Sequence, residues 1–125
     1  MTETGGCFCG AVRYRLNAAP THTTNCHCRM CQQTSGAPYV TWTSVPRSAF
    51  ELLSGAPRTF KSSSFAERWF CGQCGTPLVF LSDRHPQELD VTVASLDRPD
   101  RHAPQREIHG ESQLPWVKSD LAAEP

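Results

Sequence analysis

Seven cysteines are the residues of this chain whose type and spacing most clearly indicate chemistry. They form three short clusters, Cys7-Phe8-Cys9, Cys26-His27-Cys28-Arg29-Met30-Cys31 and Cys71-Gly72-Gln73-Cys74. Cysteine sulfur binds zinc, and a structural zinc usually has four protein ligands, whereas a catalytic zinc has three and an open position. The seven sulfurs therefore predict one closed site of four ligands and one open site of three.

The odd number of cysteines argues against a complete set of disulfides within one chain, since one thiol would remain unpaired. The N-terminus has neither a basic region nor an apolar run, so the sequence predicts no secretory signal and no membrane span. We therefore expect a cytoplasmic protein. Thiols stay reduced in that compartment, and clustered cysteines there indicate metal ligands.

Cys71 and Cys74 form a zinc knuckle, in which two intervening residues let the turn direct both sulfurs at one ion. Gly75 can adopt the positive φ that such turns often need. Cys7 and Cys9 can also direct both sulfurs at one ion, because residues i and i+2 of an extended chain project to one side. Pairing the two clusters completes four sulfurs and closes a long loop, which stabilises the fold. We assign these four cysteines to a structural zinc.

Cys26, Cys28 and Cys31 lie within six residues and predict three corners of a second, tetrahedral zinc site. His27 stands between two of these ligands, and in an extended chain its side chain would point away from the metal. The other histidines are His22, His85, His102 and His109. A histidine or a carboxylate is an alternative fourth ligand, but we predict an exchangeable one.

An open zinc can bind an incoming thiol and deprotonate it. A thiol with a pKa of about 8.5 is only a few per cent thiolate at neutral pH, so full conversion raises the reactive fraction roughly thirtyfold, or about 2 kcal/mol at most. Zinc also withdraws electron density from sulfur, so positioning of the reactants must contribute. The predicted chemistry is addition of a bound thiol to a small electrophile, or the reverse carbon-sulfur cleavage, with Cys26, Cys28 and Cys31 as catalytic ligands.

Charge is unevenly distributed along a chain whose formal net charge is zero. Lys and Arg outnumber Asp and Glu by seven to three up to Cys74, whereas the counts are five and nine from Gly75 onward. Arg13, Arg15 and Arg29 are candidates to offset thiolate charge, although solvated strand positions explain the first two equally well. A neutral chain without a basic run does not indicate nucleic-acid binding.

Strand patterns dominate the 125 residues, which we expect to form a single domain, residues 1–125. Aromatic, β-branched or alternating segments predict strands at 12–16, 39–43, 50–53, 58–60, 65–70, 78–81, 89–93 and 107–109. Helical turns are predicted only around 29–33 and before Trp116. Residues 97–105 are expected to form a surface loop, and 121–125 to fray. The chain is therefore expected to be mainly β, with one or two short helical turns.

Several segments carry a resemblance to a known family. They are Gly5-Gly6-Cys7-Phe8-Cys9-Gly10-Ala11-Val12-Arg13-Tyr14, Cys26-His27-Cys28-Arg29-Met30-Cys31 with Ser35-Gly36-Ala37, and Phe70-Cys71-Gly72-Gln73-Cys74-Gly75-Thr76-Pro77-Leu78, followed by Ile108-His109 and Leu114-Pro115-Trp116. Together they resemble the glutathione-dependent formaldehyde-activating enzyme family, which includes centromere protein V. The resemblance covers nearly the whole chain.

The resemblance implies a zinc-binding fold of several coiled antiparallel β-sheets, called a β-tent, and the same division of zinc ligands. It also implies a carbon-sulfur lyase that condenses glutathione with formaldehyde to S-(hydroxymethyl)glutathione, or that acts on a related thiol adduct. Gly36, Phe70 and Trp116 are candidates to line a pocket beside the open zinc, although the two aromatics are better explained as core residues. His109 is a candidate proton shuttle.

Two other classes of function remain open. The first is a non-catalytic interaction module in which both zincs are structural; an exposed apolar patch and a fourth protein ligand at the second site would favour it. The second is electron transfer through iron in the four-sulfur site, which visible colour in the purified protein would support. The leading hypothesis is a zinc enzyme with glutathione or another thiol as co-substrate.

Overall fold

The computed structural model describes residues 2–118 and residue 121. The strands are β1 Glu3–Gly6, β2 Arg13–Leu16, β3 His22–Cys26, β4 Val40–Pro46, β5 Phe50–Ser54, β6 Arg58–Lys61, β7 Ala66–Phe70, β8 Pro77–Ser82, β9 Glu88–Thr92 and β10 Arg106–Ile108. The α-helix α1 spans Arg29–Ser35, and short 3-10 helices span Arg47–Ala49, Val93–Ser95, Pro99–Arg101 and Gly110–Ser112. Of the segment predicted to fray, residues 122–125 lie outside the described residues.

The strands form two sheets. β1, β2 and β5 make a three-stranded antiparallel sheet, and the other seven form a second sheet in the order β10-β3-β4-β9-β8-β7-β6. In this large sheet the neighbouring strands are antiparallel, except that β10 runs parallel to β3. The mainly β fold predicted from the sequence is confirmed, with one parallel pair at an edge.

The main core joins the two sheets. Tyr14 and Leu16 of the small sheet pack with Val45, Leu78 and Val91 of the large sheet, and each of these side chains is at most 1% exposed. Full burial of a large aliphatic side chain contributes roughly 1.5–3 kcal/mol relative to its exposed state. This contact between the sheets is therefore a principal source of stability.

A smaller cluster lies on the opposite face of the large sheet. Successive residues of a strand point to opposite faces, so Val45 faces the small sheet while Trp42 of the same strand faces away from it. Trp42 packs there with Cys26, Cys31 and Val40, next to the contact between α1 and β4. The second cysteine cluster is thus built on the outer face of the large sheet.

Most of the predicted strands are confirmed, but β1 and β3 escaped the sequence analysis. β3 buries Thr23 and Asn25, so its inward side chains are polar and show no apolar alternation. β1 ends in Gly5 and Gly6, which have no side chains to form a pattern. β9 spans Glu88–Thr92 instead of 89–93, because Val93 begins a 3-10 helix instead of continuing the strand.

The remaining sequence predictions agree with the observed elements. The helical turn expected at 29–33 is α1, and the turn expected before Trp116 is the 3-10 helix Gly110–Ser112. Most residues of the predicted surface segment 97–105 are exposed, and the segment contains the 3-10 helix Pro99–Arg101. Within the described part of the chain, none of the helices is both long and apolar enough to cross a membrane.

Gly5 is a position at which the fold requires the absence of a side chain. A Cβ atom there would lie 2.5 Å from the Tyr14 hydroxyl oxygen and 2.7 Å from the backbone oxygen of Ser95. We therefore expect Gly5→Ala to lower the free energy of unfolding by about 1–3 kcal/mol, as overpacking usually does. Gly110→Ala is the control, because a Cβ there meets no atom within 4 Å. Equal denaturation midpoints for the two variants would contradict the prediction.

Candidate metal centres

Four cysteine sulfurs converge from two distant parts of the chain. Cys7 and Cys9 follow β1, whereas Cys71 and Cys74 follow β7. The four Sγ atoms lie within 4.8 Å of one another, and Cys9 Sγ is 3.5 Å from Cys7 Sγ and 3.7 Å from Cys71 Sγ. Because β1 belongs to the small sheet and β7 to the large one, this first group connects the two sheets.

Local turns direct these sulfurs toward one another. Cys71 Sγ accepts two backbone N–H groups at 3.4 Å, and Cys7 Sγ accepts the backbone N–H of Val12 at 3.2 Å. Gly75 closes the knuckle with a φ of 85°, the positive value expected from its position after Cys74. Hydrogen bonds donated to sulfur favour the thiolate, which is the form that binds metals.

Thr76 links the two halves of the first group. Its hydroxyl lies 3.2 Å from Cys74 Sγ, and this hydrogen bond is the largest of several that together lower the pKa of the Cys74 thiol from 9.0 to about 5. The same Thr76 oxygen accepts the backbone N–H of Phe8 at 3.0 Å. One hydroxyl therefore stabilises a thiolate of the knuckle and holds the N-terminal pair of cysteines beside it.

The second group of sulfurs forms where β3 leads into α1. Cys26 is the last residue of the strand, Cys28 is the N-cap of the helix and Cys31 lies in the first turn. Their Sγ atoms lie within 4.8 Å of one another, and those of Cys26 and Cys28 are 3.5 Å apart. The capping role explains the geometry, because Cys28 Sγ accepts the backbone N–H of Cys31 at 3.3 Å.

Cys28 is the thiol of this group that ionises most easily. Hydrogen bonds with Cys26 and Cys31 lower the pKa of Cys28 from 9.0 to about 2, whereas the hydrogen bond with Cys28 raises the pKa of Cys26. Cys26 and Cys31 are 5% and 3% exposed, while Cys28 is half-buried. Cys28, the thiolate that its neighbours stabilise, is therefore also the cysteine of this group nearest solvent.

Both groups offer donors that fit zinc, for which thiolate sulfur is a preferred ligand. Among residues 2–118 no histidine or carboxylate joins the second group. The expected orientation of His27 is confirmed, because its Nε2 lies 2.5 Å from Glu107 Oε1 and its side chain is fully buried. The structure thus brings the seven sulfurs together as four plus three, the division that their spacing predicts.

A buried polar network beside the second group escaped the sequence analysis. β10 lies parallel to β3 and places Glu107 opposite Asn25, whose Nδ2 donates to Glu107 Oε2 at 2.7 Å. The other oxygen of this carboxylate contacts His27, and Gln32 Nε2 donates to the His27 backbone carbonyl at 2.9 Å. All four residues are buried. The network therefore holds the backbone on both sides of Cys26 in place.

Arg68 of β7 is the cation that accompanies the second group. Both of its terminal nitrogens lie 3.7 Å from Cys31 Sγ, and the residue is only 8% exposed. Its guanidinium lies over the Phe80 ring at 5.0 Å and 5.9 Å from the centroid of Trp42. Burial between aromatic rings lowers the local dielectric, which increases the attraction between this charge and a thiolate at Cys31. In the sequence Arg68 resembles any polar residue of an alternating strand, which is why no local signal identified it.

The arginines selected from the sequence have other partners. Arg13 and Arg15 form surface ion pairs with carboxylates at 2.5 Å and 2.9 Å, which favours the alternative that they are solvated strand residues. Arg29 donates to Gln32 Oε1 at 2.6 Å. Arg68, which was not selected, is the arginine that contacts a sulfur of the second group.

A cavity of about 320 Å³ opens beside the second group. Its wall includes Cys26, Cys28, Cys31, Trp42, Arg68, Phe80, Asp90 and His109. Burial raises the pKa of the Asp90 carboxyl. His109 follows β10 in the left-handed region, with a φ of 56°, and lines the cavity as well. Sulfur, the Arg68 guanidinium and the titratable side chains of His85, Asp90 and His109 therefore face the same space.

The aromatic residues predicted to line this cavity lie outside its wall. Trp116 is 67% exposed, so it is neither a core residue nor part of the cavity wall, and both predictions for it are wrong. Phe70 is half-buried and lines a separate pocket, while Gly36 ends α1 with a φ of 71°. The aromatic walls of the cavity include Trp42 and Phe80 instead.

Comparisons with known proteins identify the family of this chain. The sequence model of the family described as "Glutathione-dependent formaldehyde-activating enzyme" matches residues 2–112. An uncharacterised lyase of Schizosaccharomyces pombe is 30% identical over 76 residues, which are 61% of this chain and 55% of that protein. A "Putative glutathione-dependent formaldehyde-activating enzyme" of Halomonas elongata is 27% identical over 128 residues, covering 94% of this chain and 81% of that protein.

The length of the match differs between these relatives. The chain spans about half the length of the yeast protein but most of the bacterial one. A solved structure of a Rhodobacter sphaeroides protein is similar with a TM-score of 0.63 and 27% identity, covering 75% of this chain and 87% of that one. Because the family match covers nearly all of the described residues, the chain belongs to the glutathione-dependent formaldehyde-activating enzyme family.

Proposed function

We propose that this chain is a zinc-dependent carbon-sulfur lyase-like enzyme that joins a thiol to a small aldehyde, or cleaves the resulting adduct. The observation that carries the proposal is the group of three sulfurs, Cys26, Cys28 and Cys31, facing a cavity of substrate size. The family description and the names of the relatives support this reaction class. Glutathione and formaldehyde, which give S-(hydroxymethyl)glutathione, are the substrates that the family description suggests.

We assign the first zinc to Cys7, Cys9, Cys71 and Cys74. Its role is structural, because four protein ligands leave no position for a substrate. The ligands come from both sheets, so metal binding contributes to folding of the single domain that we propose for residues 1–125. Reduced thiols of this kind fit a reducing compartment, and we place the protein in the cytoplasm.

We assign the second zinc to Cys26, Cys28 and Cys31, whose three sulfurs leave a fourth position for a substrate. When bound, the ion supplies positive charge that favours the thiolate form of an incoming thiol. The Arg68 guanidinium adds a second positive charge beside Cys31, and its aromatic neighbours limit its hydration. The chain therefore provides a site in which a substrate thiolate is stable.

The reaction needs a sulfur anion, a carbonyl carbon and a proton. The thiolate sulfur donates an electron pair to the aldehyde carbon, a carbon-sulfur bond forms, and the carbonyl oxygen becomes an alkoxide. The alkoxide then takes a proton, for which Asp90 and His109 are titratable groups in the cavity wall. Burial raises the pKa of Asp90, so this carboxyl holds a proton more readily than an exposed carboxyl does. The reverse sequence cleaves the bond.

A second candidate is an interaction module in which both zincs are structural. Phe8, between two cysteines of the first group, is 94% exposed, and Trp116 is also exposed. Aromatic residues are enriched in protein interfaces, so these side chains favour the candidate. The second group argues against it, because no residue among those described closes it with a fourth ligand.

Replacing one cysteine in each group separates their roles. We expect Cys74→Ser to unfold or aggregate, because the first group connects the two sheets. We expect Cys28→Ser to stay folded and to bind one metal more weakly, since its three ligands lie within one short segment. Thermal melting and metal analysis of both variants measure these outcomes. Equal loss of folded protein in both would contradict the division into structural and catalytic sites.

We expect Arg68→Gln to weaken metal binding at the second group by about 10- to 100-fold, the range typical for loss of an outer-shell partner. Chelator competition measures this affinity, and thermal melting reports any change in the fold. Arg68→Lys keeps the charge and should recover part of the affinity. Arg15→Gln is the control, because that arginine pairs at the surface with Glu51. Identical metal affinities for Arg68→Gln and Arg15→Gln would refute the role of Arg68.

We expect an added thiol to change the coordination of one metal only. In the cobalt-substituted protein, glutathione or 2-mercaptoethanol should alter the absorption spectrum and saturate at one thiol per chain, since only the second group has an open position. Cys28→Ser should lose this response. An absorption spectrum that no thiol changes would contradict the hypothesis of an enzyme with an open metal site and would favour the interaction module.

A further inference from the structure

A second pocket, of about 350 Å³, is lined by residues of α1, β4, β6, β7 and β8. Its wall is mostly apolar and includes Val40, Trp42, Phe60, Phe70 and Val79. Pockets that bind small molecules have this size and character, with a few polar groups at the margin. We call this pocket the apolar subsite. It is too large and too apolar to be explained by a one-carbon aldehyde.

The apolar subsite adjoins the cavity of the three cysteines. Trp42 and Arg68 line both spaces. Arg68 Nη1 lies 3.7 Å from Cys31 Sγ and 3.4 Å from Thr34 Oγ1, and Thr34 lines the apolar subsite. Cys31 and Thr34 stand three residues apart on α1, which is nearly one turn of about 5.4 Å. Arg68 therefore marks the boundary between a sulfur site and an apolar site.

We propose that the apolar subsite binds the carbon skeleton of the aldehyde, so that the preferred electrophile carries an aromatic or branched alkyl group. This inference rests on the proposed function and names its substrate class. Formaldehyde has no carbon beyond the carbonyl and would leave the subsite empty. A phenyl or branched alkyl group would bury apolar surface there, which strengthens binding by about 10- to 100-fold.

The reaction balances without an oxidant or a reductant. The thiolate sulfur forms a bond to the carbonyl carbon, the π electron pair of the carbonyl moves to oxygen, and that oxygen takes a proton to give a hemithioacetal. Arg68 lies between the two spaces, so its guanidinium is the donor that can hydrogen-bond to the developing oxyanion. The apolar group of the aldehyde then points away from the sulfurs.

Phe60 is the side chain with which to test this subsite. It is 57% exposed on the edge strand β6, so its truncation removes apolar wall without opening the core. Leu53→Ala is the matched control, because Leu53 is 43% exposed on the edge strand β5 and lies outside both walls. The probes are phenylacetaldehyde, formaldehyde and the unreactive 2-phenylethanol, each with the metal-loaded full chain.

We expect 2-phenylethanol to bind the metal-loaded chain, with tryptophan fluorescence as the readout because Trp42 and Trp69 line the subsite. Phe60→Ala should weaken this binding by about fivefold to tenfold, and Leu53→Ala by less than about twofold. In the thiol reaction, Phe60→Ala should lower kcat/KM for phenylacetaldehyde at least about fivefold more than for formaldehyde.

Absence of 2-phenylethanol binding, or equal effects of the two variants, would overturn the assignment of the apolar subsite. An equal loss of kcat/KM for both aldehydes in Phe60→Ala would also overturn this assignment. If neither aldehyde reacts with any thiol, the proposed function fails. The binding of 2-phenylethanol still decides whether the subsite accepts an aromatic group, so the two failures are distinguishable.

Discussion

Mutual repulsion between cysteine thiolates is the constraint on which the rest of this structure depends. In each group the sulfurs lie within 4.8 Å of one another. At an effective dielectric constant of about 20, two negative charges at that separation repel by roughly 3–4 kcal/mol. Such proximity is favourable only with a cation at the centre or with compensating donors around the sulfurs. The chain supplies donors at both groups, from backbone N–H groups, from Thr76 and from Arg68.

The two groups meet this constraint in different surroundings. The first draws its sulfurs from residues as far apart as Cys9 and Cys71, so it stabilises the contact between two sheets. The second comes from one short segment after β3, and a buried network around Glu107 holds that segment in place. Because that segment is held from outside, the second group is the one that we propose as the open site.

Much of the fold was predictable because most strands carry apolar or β-branched alternation. Tyr14 and Leu16 of β2, and Val91 of β9, stand at positions where that alternation predicts burial, and they are buried. β3 was missed because Thr23 and Asn25 are buried through hydrogen bonds rather than through apolar character. Trp116 was misjudged because an aromatic residue does not itself reveal whether it faces the core or solvent.

By itself, the sequence determined the three local clusters of cysteines, because sulfurs separated by one or two residues meet through the geometry of a single turn. The count of four ligands for a closed zinc then predicted that the first and third clusters pair. Only the tertiary structure decided what surrounds them. Arg68 is 37 residues from Cys31 and Glu107 is 80 residues from His27, yet both pairs are in contact. Contacts of this kind depend on the pairing order of the strands, which brings β7 and β10 to the site. A local pattern cannot contain them, because strand order is a property of the whole sheet.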